Sequence, residues 1–380
     1  MVRIMIARPA LALALLLASC TSAQSAATAQ PVPQPSEWGA LIERLSEPGG
    51  YFQSDNLVSN ETSYLHVLGR MRQMGVKGGA YVGVGPDQNF SYIAAVRPEV
   101  AYIIDIRRDN LLHHLLFKGL FENARNRMEF LSLLVGVPPP ADLDAWNEMS
   151  IDSIVFHVDG LRSDSAQFES AQQRIRTSAA RWGYPLSEAD LAQMRAIHSA
   201  FAQWGLGLRY SNRGSYPTWR QLLLQTDLEG RKGNYLASEE SFRFVRDLQR
   251  RNLIIPVVGD LAGAHALGAI GRDIAARGLR VSAFYVSNVE QYLLPGAGPG
   301  AGFYRFAETV TALPFADNSV IIRSYFGRGG YHPMNEAGHA STQLLETFVT
   351  FVAEQRAGGY PTYDVLVRKN VLPLREKEGG

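Results

Sequence analysis

A few glycines, acids and amides, each placed where an apolar run stops, carry most of the chemistry this sequence can offer. Residues 80–84 form a short apolar run that passes into the turn Gly83-Val84-Gly85-Pro86-Asp87. Glycines at such a turn let the backbone approach a ligand closely. The helix that follows would present unpaired N–H groups and a positive dipole end. Asp105 closes the next apolar run, residues 100–106, about twenty residues on. In dinucleotide and nucleoside folds an acid there accepts hydrogen bonds from ribose hydroxyls. Asp260 follows a third run at 253–258, and Ser287, Asn288 and Glu290 follow a fourth at 281–286. The plain alternative is a tight strand-to-helix turn whose acid caps the next helix.

Those residues need elements to hold them. The run at 80–84, a helix with Phe90, Ile93 and Ala94 at helical spacing, the run at 100–106 and a helix through residues 111–121 read as a βαβα unit. Asp109 or Asn110 is expected to cap the second helix. Arg97-Pro98 stops the first. A second legible half spans 238–326. There Glu239 and Glu240 open a helix that Arg250 and Arg251 close, which suits the helix dipole. Strands are expected at 253–258, 281–286 and 319–325, with a small-residue helix from 262 to 277 between the first two. Residues 137–237 read differently. Helical patches at 166–182 and 187–204 predict a helical insertion or cap, and the run ending at His157 and Asp159 suggests another strand end. A helix near 341–354 and a last strand at 364–367 complete the expectation. The fold class is thus α/β, a doubly wound, mostly parallel Rossmann-like sheet interrupted by a helical insertion. The segments are 38–136 for its first half, 137–237 for the insertion, 238–370 for its second half and 371–380 for a charged tail.

At this point the sequence resembles the class I S-adenosylmethionine-dependent methyltransferases. The resemblance implies that Gly83 and Gly85 wrap the amino-acid part of the cofactor and that Asp105 holds its ribose. It further implies that Asp260 meets the adenine and that Ser287, Asn288 and Glu290 face the substrate. Glu290 or Tyr292 would be the base if the methyl acceptor needs deprotonation. The family usually has an acid where this chain has Tyr81, and often a third glycine where it has Asp87. About half of the chain is covered, in two pieces. The chain also looks like an uncharacterised bacterial family of this fold. S-adenosylmethionine or another nucleoside is the ligand implied, and no metal is called for.

The start of the chain carries an address. Two arginines and no acid precede a short apolar stretch at 10–18, the pattern of a secretory signal peptide rather than a membrane span. Leu17-Ala18-Ser19-Cys20 resembles the bacterial lipobox, in which the cysteine is acylated and becomes the new N-terminus. Cys20 is the only cysteine in 380 residues, so no disulfide competes for it. Residues 1–20 are therefore expected to be a lipoprotein signal peptide and 21–37, rich in small residues and proline, a flexible tether. The mature protein would be extracytoplasmic and lipid-anchored, on the outer membrane in a Gram-negative host because Thr21 is not Asp. At 46% hydrophobic, 19% charged and net charge +1 the remainder is globular, and no basic block argues for nucleic acid.

Three other readings compete. A non-catalytic lipoprotein would keep the sheet as a scaffold for a ligand or partner. An esterase of SGNH type would use the tail histidines His332 and His339. For that, Leu261 stands where the serine and Gly329 where the acid would be needed. A metal site at His332, Glu336 and His339 competes with an ordinary solvated loop. His198 and His265, on apolar helix faces, read as packed core residues.

Overall fold

Five of the expected strands, near 80–84, 100–106, 253–258, 281–286 and 319–325, are present, and they lie side by side. β1 (Ala80–Gly83), β2 (Val100–Asp105), β3 (Ile254–Val258), β4 (Val281–Ser287), β5 (Phe315–Tyr325) and β6 (Thr342–Thr347) form one sheet in the order β3-β2-β1-β4-β5-β6. The pairs among the first five are parallel, and β6 runs antiparallel to β5. The sheet grows outward from β1 through β2 to β3, and then from β4 to β5 on the other side. β1 and β3 are buried along their whole length, which is why their sequences are apolar runs and not alternating patterns.

This computed structural model describes Val2 and residues 34–211, 216–294, 302–327 and 330–375. The leader, Cys20, most of the tether, Gly329 and the last residues of the charged tail lie outside the described residues. From residue 34 onward the chain is one unit. No described helix is long and apolar enough to cross a membrane.

Helix Gln88–Val96 packs on β1 and β4, and helix Arg108–Asn123 on β2 and β3. Helix Ala266–Ala276 packs on β2, and helix Pro35–Leu45 on β3 and on Ala266–Ala276. The Tyr102 hydroxyl reaches Asp273 in Ala266–Ala276. Tyr81, in register with the residue before Tyr102, donates at 2.8 Å to Asn89 in Gln88–Val96. The insertion is helical, as expected. Ile151–Asp159, Ser165–Ala179 and Glu188–Trp204 are capped by Ser150, Asp164 and Ser187, whose side chains accept from the third residue on. The last two pack on Arg108–Asn123 and Arg127–Val135.

Several local expectations need correction. The cap of helix Arg108–Asn123 is Arg107, so Asp109 and Asn110 sit inside its first turn and neither caps it. His157 and Asp159 end a helix, Ile151–Asp159, that the Ser150 side chain caps at its start. The expected helix at 341–354 is β6 followed by helix Phe348–Arg356, and the expected strand at 364–367 is helix Tyr363–Arg368. The misleading signal was polar. Gln343 and Glu346 look like one face of an amphipathic helix, yet both are buried in the sheet and satisfied there by Ser324 and Arg323. His265 is exposed at a helix cap, where it bonds the Arg44 carbonyl, and so is no core residue.

Candidate functional site

The carboxyl ends of five parallel strands surround a cavity of about 580 Å³. That is the size and place at which open α/β sheets hold small molecules. Its wall takes Val84–Pro86 from the end of β1, residues 104–107 from β2, residues 259–261 after β3, Tyr285 and residues 287–289 from β4, and Phe326 after β5. Gly85, Asp105, Asp260, Ser287, Asn288 and Tyr292 therefore meet in one place. Gly83 and Glu290 are not part of the wall.

The glycine turn is braced from behind. Gly85 has φ +81°, a conformation that a side chain at that position would strain. Gly83 sits where a Cβ would fall 2.0 Å from Asn89 Oδ1. Asn89 is fully buried, and its Nδ2 donates to the carbonyls of Val84 at 2.8 Å and Pro86 at 2.7 Å. His114 Nε2 meets the Gly85 carbonyl at 2.8 Å. Burial holds the His114 ring neutral, down to about 4, so it is this neutral ring that donates to the carbonyl. In a trans peptide the N–H points opposite to the C=O. With these carbonyls turned inward, the N–H groups of Gly85 and Asp87 turn away from the braces. The next residue, Asp87, accepts from Trp219 Nε1 at 3.0 Å and from the Tyr235 hydroxyl at 3.3 Å. Burial raises its carboxyl to about 6.

Asp105 is placed as the sequence suggests, but both of its oxygens are engaged. Arg107 donates to Oδ1 through its backbone N–H and Nε, at 2.9 and 3.0 Å, and to Oδ2 through Nη2 at 3.0 Å. Arg107 Nη1 also donates to the carbonyls of Ser54 and Asp55, which ties down the loop that covers one side of the cavity. A ligand hydroxyl at Asp105 would have to share that carboxylate with the guanidinium. Asp260 Oδ1 accepts from the Ala262 N–H at 2.9 Å and shapes the turn after β3.

Ser287 ends β4 at φ +53°, in the left-handed region that non-glycine residues seldom enter. Such strain persists where the surrounding structure imposes it, commonly at ligand sites. What holds it is Glu61, a residue with no sequence signal. Glu61 Oε1 accepts from Ser287 Oγ at 2.6 Å and the Tyr285 hydroxyl at 2.7 Å. Its Oε2 accepts from Gln88 Nε2 and Gln343 Nε2, each at 2.9 Å. Four donors on two oxygens are the pattern of an acceptor-only carboxylate. No cation is bonded to it among the described residues.

Glu290, one of two candidate bases, is 1% exposed, and Arg323 grips it with Nε at 2.5 Å and Nη2 at 3.1 Å. It is sealed under the wall and cannot take a proton from a ligand in the cavity. Tyr292 stays at the rim, 44% exposed, with Phe52 edge-on at 5.5 Å. The tail histidines do not meet. His332 is held by the Val367 carbonyl and the Met334 N–H, while His339 bonds Thr62 and stacks edge-on to His66. Neither hydrogen-bonds a serine in these contacts. His198 is a packed ring between Gln172 and the Leu133 carbonyl.

Residues 57–136 and 207–372 match the family described as Domain of unknown function (DUF7790). The chain belongs to that family. The match takes in all six strands and, from the cavity wall, everything except Phe52, Gln53 and Asn56. Residues 137–206, the helices packed over Arg108–Asn123, fall outside the part that DUF7790 describes. No curated protein matches the chain.

Proposed function

We propose that this protein is an exported lipoprotein, lipid-anchored through Cys20, whose domain is a doubly wound, methyltransferase-like sheet that binds a nucleoside or similar small molecule. The strand order, with reversal between β1 and β4, supports the fold reading, as does β6 antiparallel at the edge. So does the alternation by which Tyr81 and Tyr102 reach different helices. One observation carries the ligand reading: Gly85, Asp105, Asp260 and Asn288 come from four separate strand ends and line one cavity.

S-adenosylmethionine fits that cavity in part. Gly85 leaves open space beside the backbone, and Asp260, the residue implied for the adenine, and Asn288, implied to face the substrate, both line the wall. When bound, it would supply an electrophilic methyl group. This chain's residues would bind it, orient it and exclude water. Two features favour a binding role without turnover. Arg107 occupies Asp105, and Glu290 is locked to Arg323, which leaves, of the two bases named from the sequence, only the rim hydroxyl of Tyr292.

Calorimetric titration of the purified protein with S-adenosylmethionine and with adenosine tests the ligand reading. Saturable binding that Asp105→Ala weakens supports it, and the absence of heat with both at saturating concentration refutes it. Lipidation is tested separately by metabolic labelling with an alkyne fatty acid. The label should appear on the protein and disappear in Cys20→Ala.

A further inference from the structure

The chemistry of the cavity wall says what the ligand must bring. Gln88 lines the cavity and is 4% exposed. Its Nε2 faces the Glu61 carboxylate, and because that carboxylate only accepts, the amide orientation is fixed. Its Oε1 then has no donor among the described residues. Asn56, also in the wall, likewise has a buried Oδ1 with no donor. The unmet Gln88 group is an acceptor, so its missing partner is a donor. A buried acceptor left without one is destabilising.

Charge points the same way. Glu61, Asp105 and Asp260 contribute carboxylates to the wall, and Arg107 is the one cationic side chain among its described residues. Arg107 is already committed to Asp105 and to the Ser54 and Asp55 carbonyls. No other cationic side chain of the wall is left to meet a phosphate. Aromatic rings complete the wall: Tyr210 and Tyr216 lie 5.0 Å apart, and Phe52 meets Tyr292 edge-on. Ring faces attract cations.

We propose that this cavity takes a small organic cation that donates N–H hydrogen bonds, an alkylammonium or guanidinium group. Gln88 Oε1 accepts from it, the Glu61 carboxylate behind Gln88 supplies the charge, and the aromatic rings wall it. Gln88 acts as a relay, because donating to Glu61 polarises the amide and makes its oxygen a better acceptor. The proposal rests on the reading of this cavity as the ligand site, but not on the ligand being a nucleoside.

The test is calorimetry on the purified full chain with three probes of similar shape: phenethylammonium, 2-phenylethanol and 3-phenylpropionate. Adenosine is titrated in a separate arm. The expected result is binding of the ammonium about tenfold or more tighter than the alcohol, and no binding of the carboxylate. Gln88→Met should abolish that preference. Glu61→Gln should reduce it in the same direction. The comparison among probes on the unmodified protein stands even if a variant fails to fold. Alcohol or carboxylate binding as tight as the ammonium, or no ammonium binding at millimolar concentration, overturns the proposal. Adenosine binding without ammonium binding sinks the cation and keeps the nucleoside reading; the opposite result keeps the cation and sinks the nucleoside.

Discussion

Two buried acid clusters flank the end of β4, and they are built in opposite ways. Glu290 and Glu346 share one guanidinium: Arg323 bonds Glu290 through Nε and Nη2 and Glu346 through Nη1 at 2.7 Å, and Tyr360 donates to the other Glu346 oxygen at 2.5 Å. Burial pushes the Glu346 carboxyl up, against the pull of Arg323. This cluster is closed. Its charges are paired inside the protein, and none of its three charged residues lines the strand-end cavity. Glu61, on the other side of Ser287, is surrounded by neutral donors and faces the cavity. A carboxylate fixed by hydroxyls and amides keeps its charge uncompensated, which suits a group that must act on something from outside. Glu290 and Glu346 are paired to an arginine, whereas Glu61 is bonded only by neutral donors at the cavity wall.

The contrast breaks most clearly at Arg323. Arg323→Met leaves two buried carboxylates unpaired, and a loss of about 3–5 kcal/mol is expected from urea unfolding. A loss as small as that of an ordinary surface substitution would show that the cluster is not the closed structural unit described. A smaller effect is expected in the pH dependence. Asp87 is an acid raised from 3.8 to about 6 in the folded state, so between those values the folded protein binds more protons than the unfolded one. Stability should therefore fall as pH rises from 4 to 6 by a contribution on the order of 3 kcal/mol, fully felt above pH 6. Asp87→Asn should flatten that part of the profile, and an unchanged slope would contradict the assignment. Smaller again is Asn89→Ala, which strips the Val84 and Pro86 carbonyls of a donor. About 1–3 kcal/mol of stability should go. Ligand affinity at the turn should fall with it, because the Gly85 backbone loses its brace.

Legibility followed the same division. The glycine turn, Asp105, Asp260 and the Ser287-Asn288 pair were readable because each terminates an apolar run, and a parallel sheet gathers the ends of its strands at one edge. Glu61 was not readable. It lies in a polar stretch without periodicity and reaches the cavity only because the fold docks that stretch on β6, where Gln343 Nε2 donates to Glu61 Oε2 at 2.9 Å. Arg107 and Gln88 did leave a trace, one two residues after Asp105 and the other at the start of the helix after the glycine turn. A cation so close to an acid is a signal that the acid is partly neutralised. β6 was misread because its two inward polar residues, Gln343 and Glu346, serve these two clusters. Their polarity reflects partners across the sheet, which a local pattern does not contain.

The central claim is that the strand-end cavity is a binding site for a nucleoside or similar small molecule. The most direct measurement is a crystal structure of the protein grown with saturating adenosine. The account predicts ligand density in the cavity, in contact with Gly85, Asp260 and Asn288 and within reach of the Asp105–Arg107 pair. An empty cavity, or density bound elsewhere on the molecule, would contradict it.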